Sequence, residues 1–182
     1  MADGQGDPAL APEGEAQAQA IADRLRTRPI AAIYVTTLRR THQTAAPLAT
    51  ALGLTPRVEP RLREVFLGDW DGGLYRKMAA ERHPTYVKAH ETGDWGHIPG
   101  AETTAALRAR VEAGLVDIAA RHPDQLVAVF SHGGAIGAAL DLATGARPNS
   151  FAGTANGAIA RLVMQGDTRI LRGFNDCAHL DG

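Results

Sequence analysis

Residues 126–134 read LVAVFSHGG: an apolar run with two valines, then Ser131, His132 and two glycines. The run is expected to be a buried strand ending in a tight glycine turn, which opens a helix over 135–143 stopped by Gly145. Such a turn delivers a side chain and free backbone N–H groups to the carboxyl edge of a sheet, where α/β proteins bind ligands. Upstream, residues 101–121 place Leu107, Val111, Leu115 and Ile118 on one helical face. Further back, 31–36 (AAIYVT) reads as a strand and 38–52 as a helix closed by Gly53, with Pro47 expected to kink or end it. A first helix, from Pro12 to near Arg28, carries Ala18, Ile21, Ala22 and Leu25 at helical spacing, and Ala11 sits where a capping hydroxyl is usual.

Residues 158–164 and 169–171 read as two strands around a turn at Gly166 and Asp167. Residues 60–73 read as a loop, 74–91 as helical with a break at Pro84, and 93–100 as irregular. The first nine residues have loop composition. Helices alternating with apolar strands imply one layered α/β domain with a largely parallel sheet, spanning 1–182.

The composition, 45% apolar and 21% charged with a formal net charge of −1, fits one globular core. It excludes the strong positive field of a nucleic-acid binder. No segment has the length of a membrane span. With Cys177 as its one cysteine the chain has no internal disulfide and suits a reducing compartment, so the expected location is cytoplasmic. Lys77 and Lys88 are the only lysines; every other basic residue is arginine, whose planar fork matches phosphate and carboxylate.

Three constellations carry chemistry. His132 at its glycine turn is one. It is not a dinucleotide fingerprint, because His132 stands at the first glycine position. Ser131 has half of a serine-hydrolase elbow, and Asp176 and His179 follow it in the order of a triad, so a serine hydrolase using Ser131 is an alternative. The second is Thr36-Thr37-Leu38-Arg39-Arg40, two hydroxyls and two arginines at a helix N-terminus, an expected anion site. The third is 61–72, RLREVFLGDWDG, where Glu64 could serve as a general acid if desolvated. His83, His90 and His97 lack the i, i+4 spacing of a helical metal pair.

In this order the segments resemble the histidine phosphatase superfamily, also called phosphoglycerate mutase-like. The resemblance runs through Leu10, Gly14, Gln17 and Ala18, then Thr37, Leu38, Arg40, Gln43, Thr44 and Ala45. It continues through Leu62, Glu64, Gly68, Trp70 and Gly72, then Pro99, Gly100, Glu102 and Thr103, and ends on Ser131, His132, Gly133 and Gly134. It implies a three-layer sandwich, a mostly parallel sheet with helices on both faces. It also implies phosphoryl transfer through a phosphohistidine, with Arg40, His132 and Gly133 binding the phosphoryl group and Glu64 protonating the leaving alcohol. No metal or other cofactor is implied, and the partner is a small phosphorylated substrate. Oligomeric state is left open, a dimer included.

The nucleophilic histidine of that family lies in an Arg-His-Gly motif at the end of its first strand, and no Arg-His-Gly occurs in these 182 residues. The expectation is therefore a domain lacking its first strand, a native chain extending upstream of Met1, and no turnover by the sequence as given. A catalytically dead phosphate-binding or scaffold protein is the alternative class. Val65-Phe66-Leu67-Gly68, where glycolytic mutases resemble one another in R-H-Y-G, favours hydrolysis of a phosphomonoester over mutase activity. The variable region 74–98 is expected to form the lid that chooses the substrate.

Overall fold

The computed structural model describes residues 5–181; the loop composition read at 1–4 lies outside the described residues. Strand β1 (Ile30–Val35) is the centre of the fold. Its side chains alternate between two layers, as the pleat requires. Ile33 and Val35 join Ala22 of helix α1 (Pro12–Leu25) and Ala45, Leu48 and Ala49 of helix α2 (Arg39–Leu52) on one face. Ala32 and Tyr34 join Leu107, Val111 and Ile118 of helix α5 (Thr104–Arg121) and Ala135 and Ala138 of helix α6 (Gly133–Thr144) on the other. The expected sandwich, helices on both faces of a parallel sheet, is the observed one.

β1 pairs in parallel with the short β2 (Arg57–Val58) and with β3 (Leu126–Val129). The expected strand pair at the C-terminal end is an antiparallel hairpin, β4 (Ile159–Gln165) and β5 (Thr168–Asp176), forming a sheet of its own. Among the described residues β3 pairs only with β1 and β4 only with β5. This corrects one expectation. β3 is not a buried strand: Leu126 is 42% exposed and Val129 37%, because no described strand covers its second edge.

Two further differences have local causes. Pro47 does not end α2, which continues through it to a left-handed cap at Gly53. The amide hydrogen bond Pro47 forgoes is outweighed by the face Ala45, Leu48 and Ala49 bury against β1. The helical region 74–91 divides into α3 (Leu74–Ala80) and α4 (Pro84–Thr92), with Pro84 in the first turn of the second, where a missing N–H costs nothing. Ala11 makes no side-chain cap, as read from the sequence.

The loop after β2 is tied to the approach of α5. Asp69 N donates to Pro99 O at 3.0 Å and Glu102 N to Phe66 O at 2.9 Å. Gly68 makes this possible: its φ is +55°, and a Cβ there would lie 2.3 Å from Gly100 C and Pro99 O. Gly68→Ala is expected to cost about 3 kcal/mol, from backbone overlap and left-handed strain together, and to lower Tm by on the order of 10 °C. Gly53→Ala has the same strain but nothing within 4 Å of the new Cβ, so its loss in a parallel thermal melt should be about a third as large.

Candidate functional site

The end of β3 is bound into the molecule by its neighbours. Phe130 N donates to Tyr34 O at 2.9 Å, and Ser131 Oγ donates to Leu62 O at 2.7 Å. His132 follows as the residue before α6 and is only 7% exposed. Arg40 Nε donates to its Nδ1 at 3.2 Å. A guanidinium has no acceptor, so Nδ1 carries no hydrogen and the ring proton sits on Nε2. Nε2 donates to Thr36 Oγ1 at 2.9 Å. Thr36 in turn meets Thr41 Oγ1 at 3.2 Å, whose own hydrogen goes to Leu38 O at 2.8 Å. Burial, followed by the positive fields of Arg40, Arg110 and Arg63, pushes the His132 pKa down to about 3. The imidazole is neutral and its tautomer is fixed.

Of the two arginines expected to make one anion site, only Arg40 faces His132; its Nη1 also donates to Gly6 O at 3.1 Å. Arg39 turns the other way. Its backbone N–H donates to Asp7 Oδ1 at 2.9 Å and its guanidinium to Asp7 O at 2.8 Å. The N-terminus of α2 therefore already holds an anion, the protein's own Asp7, and the expected site there is corrected to Arg40 alone.

Glu64 closes the start of α6. That helix has no side-chain cap of its own, and Gly134 N donates to Glu64 Oε2 at 3.3 Å while Val65 N donates to Oε1 at 2.9 Å. Gly134 has no Cβ to obstruct this: one would lie 2.5 Å from Glu64 Oε1. Desolvation raises the Glu64 pKa, against the lowering effect of these N–H groups and of the Arg40 charge. A carboxyl so placed can hold a proton above the usual carboxylate range and give it up on contact with a basic oxygen.

Beyond Glu64 opens a cavity of about 430 Å³, walled by Gly133 and Gly134, by Tyr75 and Trp95, and by Arg76 and Arg108. Arg40 and His132 are not part of that wall. Glu64 feels the charge of Arg40, which is bonded to His132, and lines the cavity. The region 74–98, expected from the sequence to form a lid, supplies Tyr75, Arg76 and Trp95 to that wall.

Sequence reasoning missed Arg110, which fixes the position of Glu64. Its Nε and Nη2 grip Glu102 at 2.6 and 2.8 Å, its Nη1 donates to Arg61 O and Arg63 O at 2.7 Å each, and Nη2 donates to Glu64 O at 3.1 Å. Its one visible signal was the i, i+8 spacing from Glu102, two turns of α5 and its approach. Ser131 gives its proton to a carbonyl and His179 Nε2 bonds Gly157 O at 3.0 Å, so neither makes the bond a triad needs. Among the described residues no three metal-ligating side chains converge, and no helix is long and apolar enough to cross a membrane.

His132 is expected to show no titration by ring-proton NMR between pH 8 and 5. Its folded pKa lies below the unfolded value of about 6.5, so unfolding takes up a proton as pH falls. Stability from this group is complete above pH 6.5 and declines from there toward pH 3; a His132 resonance moving with a midpoint near 6.5 would contradict the assignment. Arg110→Ala leaves Glu102 and three carbonyls without their donor and should cost about 3 to 5 kcal/mol by urea unfolding.

The chain is similar to known proteins over its whole length. A model of the histidine phosphatase superfamily (branch 1) matches residues 1–177. "Probable phosphoglycerate mutase GpmB" of Yersinia enterocolitica is 30% identical over 185 residues, 98% of this chain and 86% of that one. Glucosyl-3-phosphoglycerate phosphatase of Mycobacterium tuberculosis is 33% identical over 143 residues, 74% of this chain and 64% of that one. Among solved structures, Bacillus stearothermophilus YhfR shares the fold with a TM-score of 0.85 at 21% identity, covering 97% of this chain and 90% of that one. The mycobacterial glucosyl-3-phosphoglycerate phosphatase complexed with VO3 superposes with a TM-score of 0.82 at 28% identity, covering 94% and 90%. With the family's motifs in register from Leu10 to Gly134 and its model matched across nearly the entire sequence, the chain belongs to branch 1 of the histidine phosphatase superfamily.

Proposed function

We propose that this site binds the phosphoryl group of a small phosphomonoester and serves its hydrolysis through a phosphohistidine. The observation that carries the reading is the position of Glu64, a carboxyl of raised pKa that feels the Arg40 charge beside the buried His132 and lines an open cavity. In it, Arg40 supplies the positive charge for the phosphoryl oxygens. The His132 Nε2–H, now given to Thr36, and the Gly133 end of α6 supply neutral donors. The alcohol lies in the cavity, and Glu64 is at the junction where the bridging oxygen leaves and needs a proton.

Hydrolysis is favoured over mutase activity by Val65-Phe66-Leu67-Gly68 beside Glu64 and by the phosphatases among the relatives. Both ring nitrogens of His132 are engaged by neighbouring side chains, and the Arg-His-Gly motif that carries the family's phosphoryl acceptor does not occur in these 182 residues. The 182-residue chain is therefore expected to bind and not to turn over.

Titration with orthovanadate or inorganic phosphate should raise Tm, and Arg40→Ala should abolish the rise. Glu64→Gln should leave it in place, because Glu64 meets the leaving alcohol and not the phosphoryl oxygens. An aryl phosphate should remain unhydrolysed by the 182-residue chain. Phosphate binding indifferent to Arg40→Ala, or hydrolysis of the aryl phosphate by the 182-residue chain, would overturn the assignment.

A further inference from the structure

Gln5, Gly6 and Asp7 tie the Glu64 loop to the start of α2. The Gln5 side-chain amide donates to Val65 O at 2.9 Å, and Gly6 N donates to Asp71 Oδ1 at 2.9 Å. Gly6 O takes a bond from Arg40 Nη1 at 3.1 Å. These contacts hold the segment without using the Asp7 carboxylate. That carboxylate lies at the start of α2, whose own N-cap residue, Leu38, has no capping side chain: Arg39 N donates to Asp7 Oδ1 at 2.9 Å, and the same oxygen stands 4.0 Å from Arg40 Nη1. The Arg40 and Asp7 side chains are only 26% and 17% exposed, so solvent screens their attraction in part. Arg40 has Nε on His132 and Nη1 on Gly6 O, and among the described residues its Nη2 has no hydrogen-bond partner. The donor left for a phosphoryl oxygen thus belongs to a cation that already has a resident counter-ion.

We propose that Asp7 sets the strength of the phosphate seat: its negative charge beside Arg40 weakens the hold on a phosphoryl group or phosphate ion, acting through Arg40 and not by contact. This rests on the phosphate-binding reading of Arg40 and His132. Two anions that share one guanidinium repel each other, and the second to arrive is held less tightly than it would be alone. In a phosphatase this has a direction. Inorganic phosphate, the product, meets the same donors as the phosphoryl group of the substrate, so a seat that held both tightly would slow release without helping the chemical step. Asp7 is suited to the task because its hydrogen-bonding role does not depend on its charge: an uncharged oxygen in the same place would still accept the Arg39 N–H.

The test is calorimetric titration of the 182-residue chain with inorganic phosphate, near neutral pH and at low salt, with the parent, Arg40→Ala and three Asp7 variants side by side. Asp7→Asn keeps an oxygen for Arg39 N and removes the charge; it is expected to tighten Kd about fivefold, the effect of one unit charge several ångströms away in a partly solvated setting. Asp7→Ser removes the charge with a shorter side chain and should move Kd the same way. Asp7→Glu keeps the charge and should stay within about twofold of the parent. A residue that only holds Arg39 and the loop in place predicts the opposite sign, weaker binding in both neutral variants. Failure of both neutral variants to bind tighter than the parent, or a tightening by Asp7→Glu equal to theirs, would overturn the inference, while loss of binding in Arg40→Ala would leave the phosphate seat standing. Binding seen only in the neutral variants would support both. Absence of phosphate binding in the parent and in both neutral variants would remove the seat and this inference with it.

Discussion

One guanidinium, Arg110, holds the geometry on which the site depends. Its five donors are fully used, two on Glu102 and three contacts to the carbonyls of Arg61, Arg63 and Glu64. A loop after a two-residue strand has little backbone pairing to define its path, and here that path is defined by a rigid fork fixed on an 18-residue helix. Through Glu64 the same constraint reaches α6, whose first turn has no cap of its own. The proline-glycine segment before α5 and the Glu64 loop are thus two sides of one contact, closed by Gly68 against Pro99 and Gly100.

The same arginine acts electrostatically. Arg110, Arg63 and Arg40 together would make a strongly positive interior, and a protonated His132 among them would add a fourth cation. The fold resolves this by keeping His132 neutral: its Nδ1 takes a bond from Arg40, so the imidazole orients the guanidinium without competing with it for an anion. The hydroxyl chain through Thr36 and Thr41 ends on Leu38 O and fixes which nitrogen carries the proton. Glu64 experiences the opposite balance, since desolvation outweighs the nearby positive charge and the helix N–H groups. A neutral donor, a fixed cation and a protonatable carboxyl follow from three different environments, brought together from the start of α2, the loop after β2 and the start of α6.

Much of this was legible in the sequence because it is local. The short apolar run with β-branched residues in β1, the 3.6-residue spacing in α5 and the glycines at 53 and 145 have the same meaning in a peptide as in a fold. The places of His132, Gly133 and Arg40 at strand or helix ends, and of Glu64 in the loop after β2, were also legible, since turn and cap residues mark them locally. What was not legible depends on separations the sequence does not encode locally. Arg110 meets carbonyls 46 to 49 residues away, and Asp7 reaches the start of α2 across 32 residues. Two adjacent arginines looked equivalent, but Arg39 is spent on hydrogen bonds to Asp7 while Arg40, which keeps only a longer ion pair with Asp7 at 4.0 Å, reaches His132 and Gly6 O. Pro47 misled for the related reason that burial of the surrounding helix face overrode a backbone preference.

The exposure of β3 sharpens what keeps His132 buried. A strand whose first and last residues are 42% and 37% exposed would be a poor platform for a buried imidazole if sheet depth were the only source of shielding. The burial comes instead from cross-links made just past the strand's end. Phe130 extends the pairing with Tyr34 by one bond, Ser131 is anchored to the Glu64 loop through Leu62 O, and His132 is bonded to α2 through Arg40 and to the end of β1 through Thr36. The serine that resembles half of a nucleophile elbow is therefore a tether. Its hydroxyl joins the strand that carries the histidine to the loop that carries the carboxyl, and the two halves of the site are held in register by a side chain that does no chemistry itself.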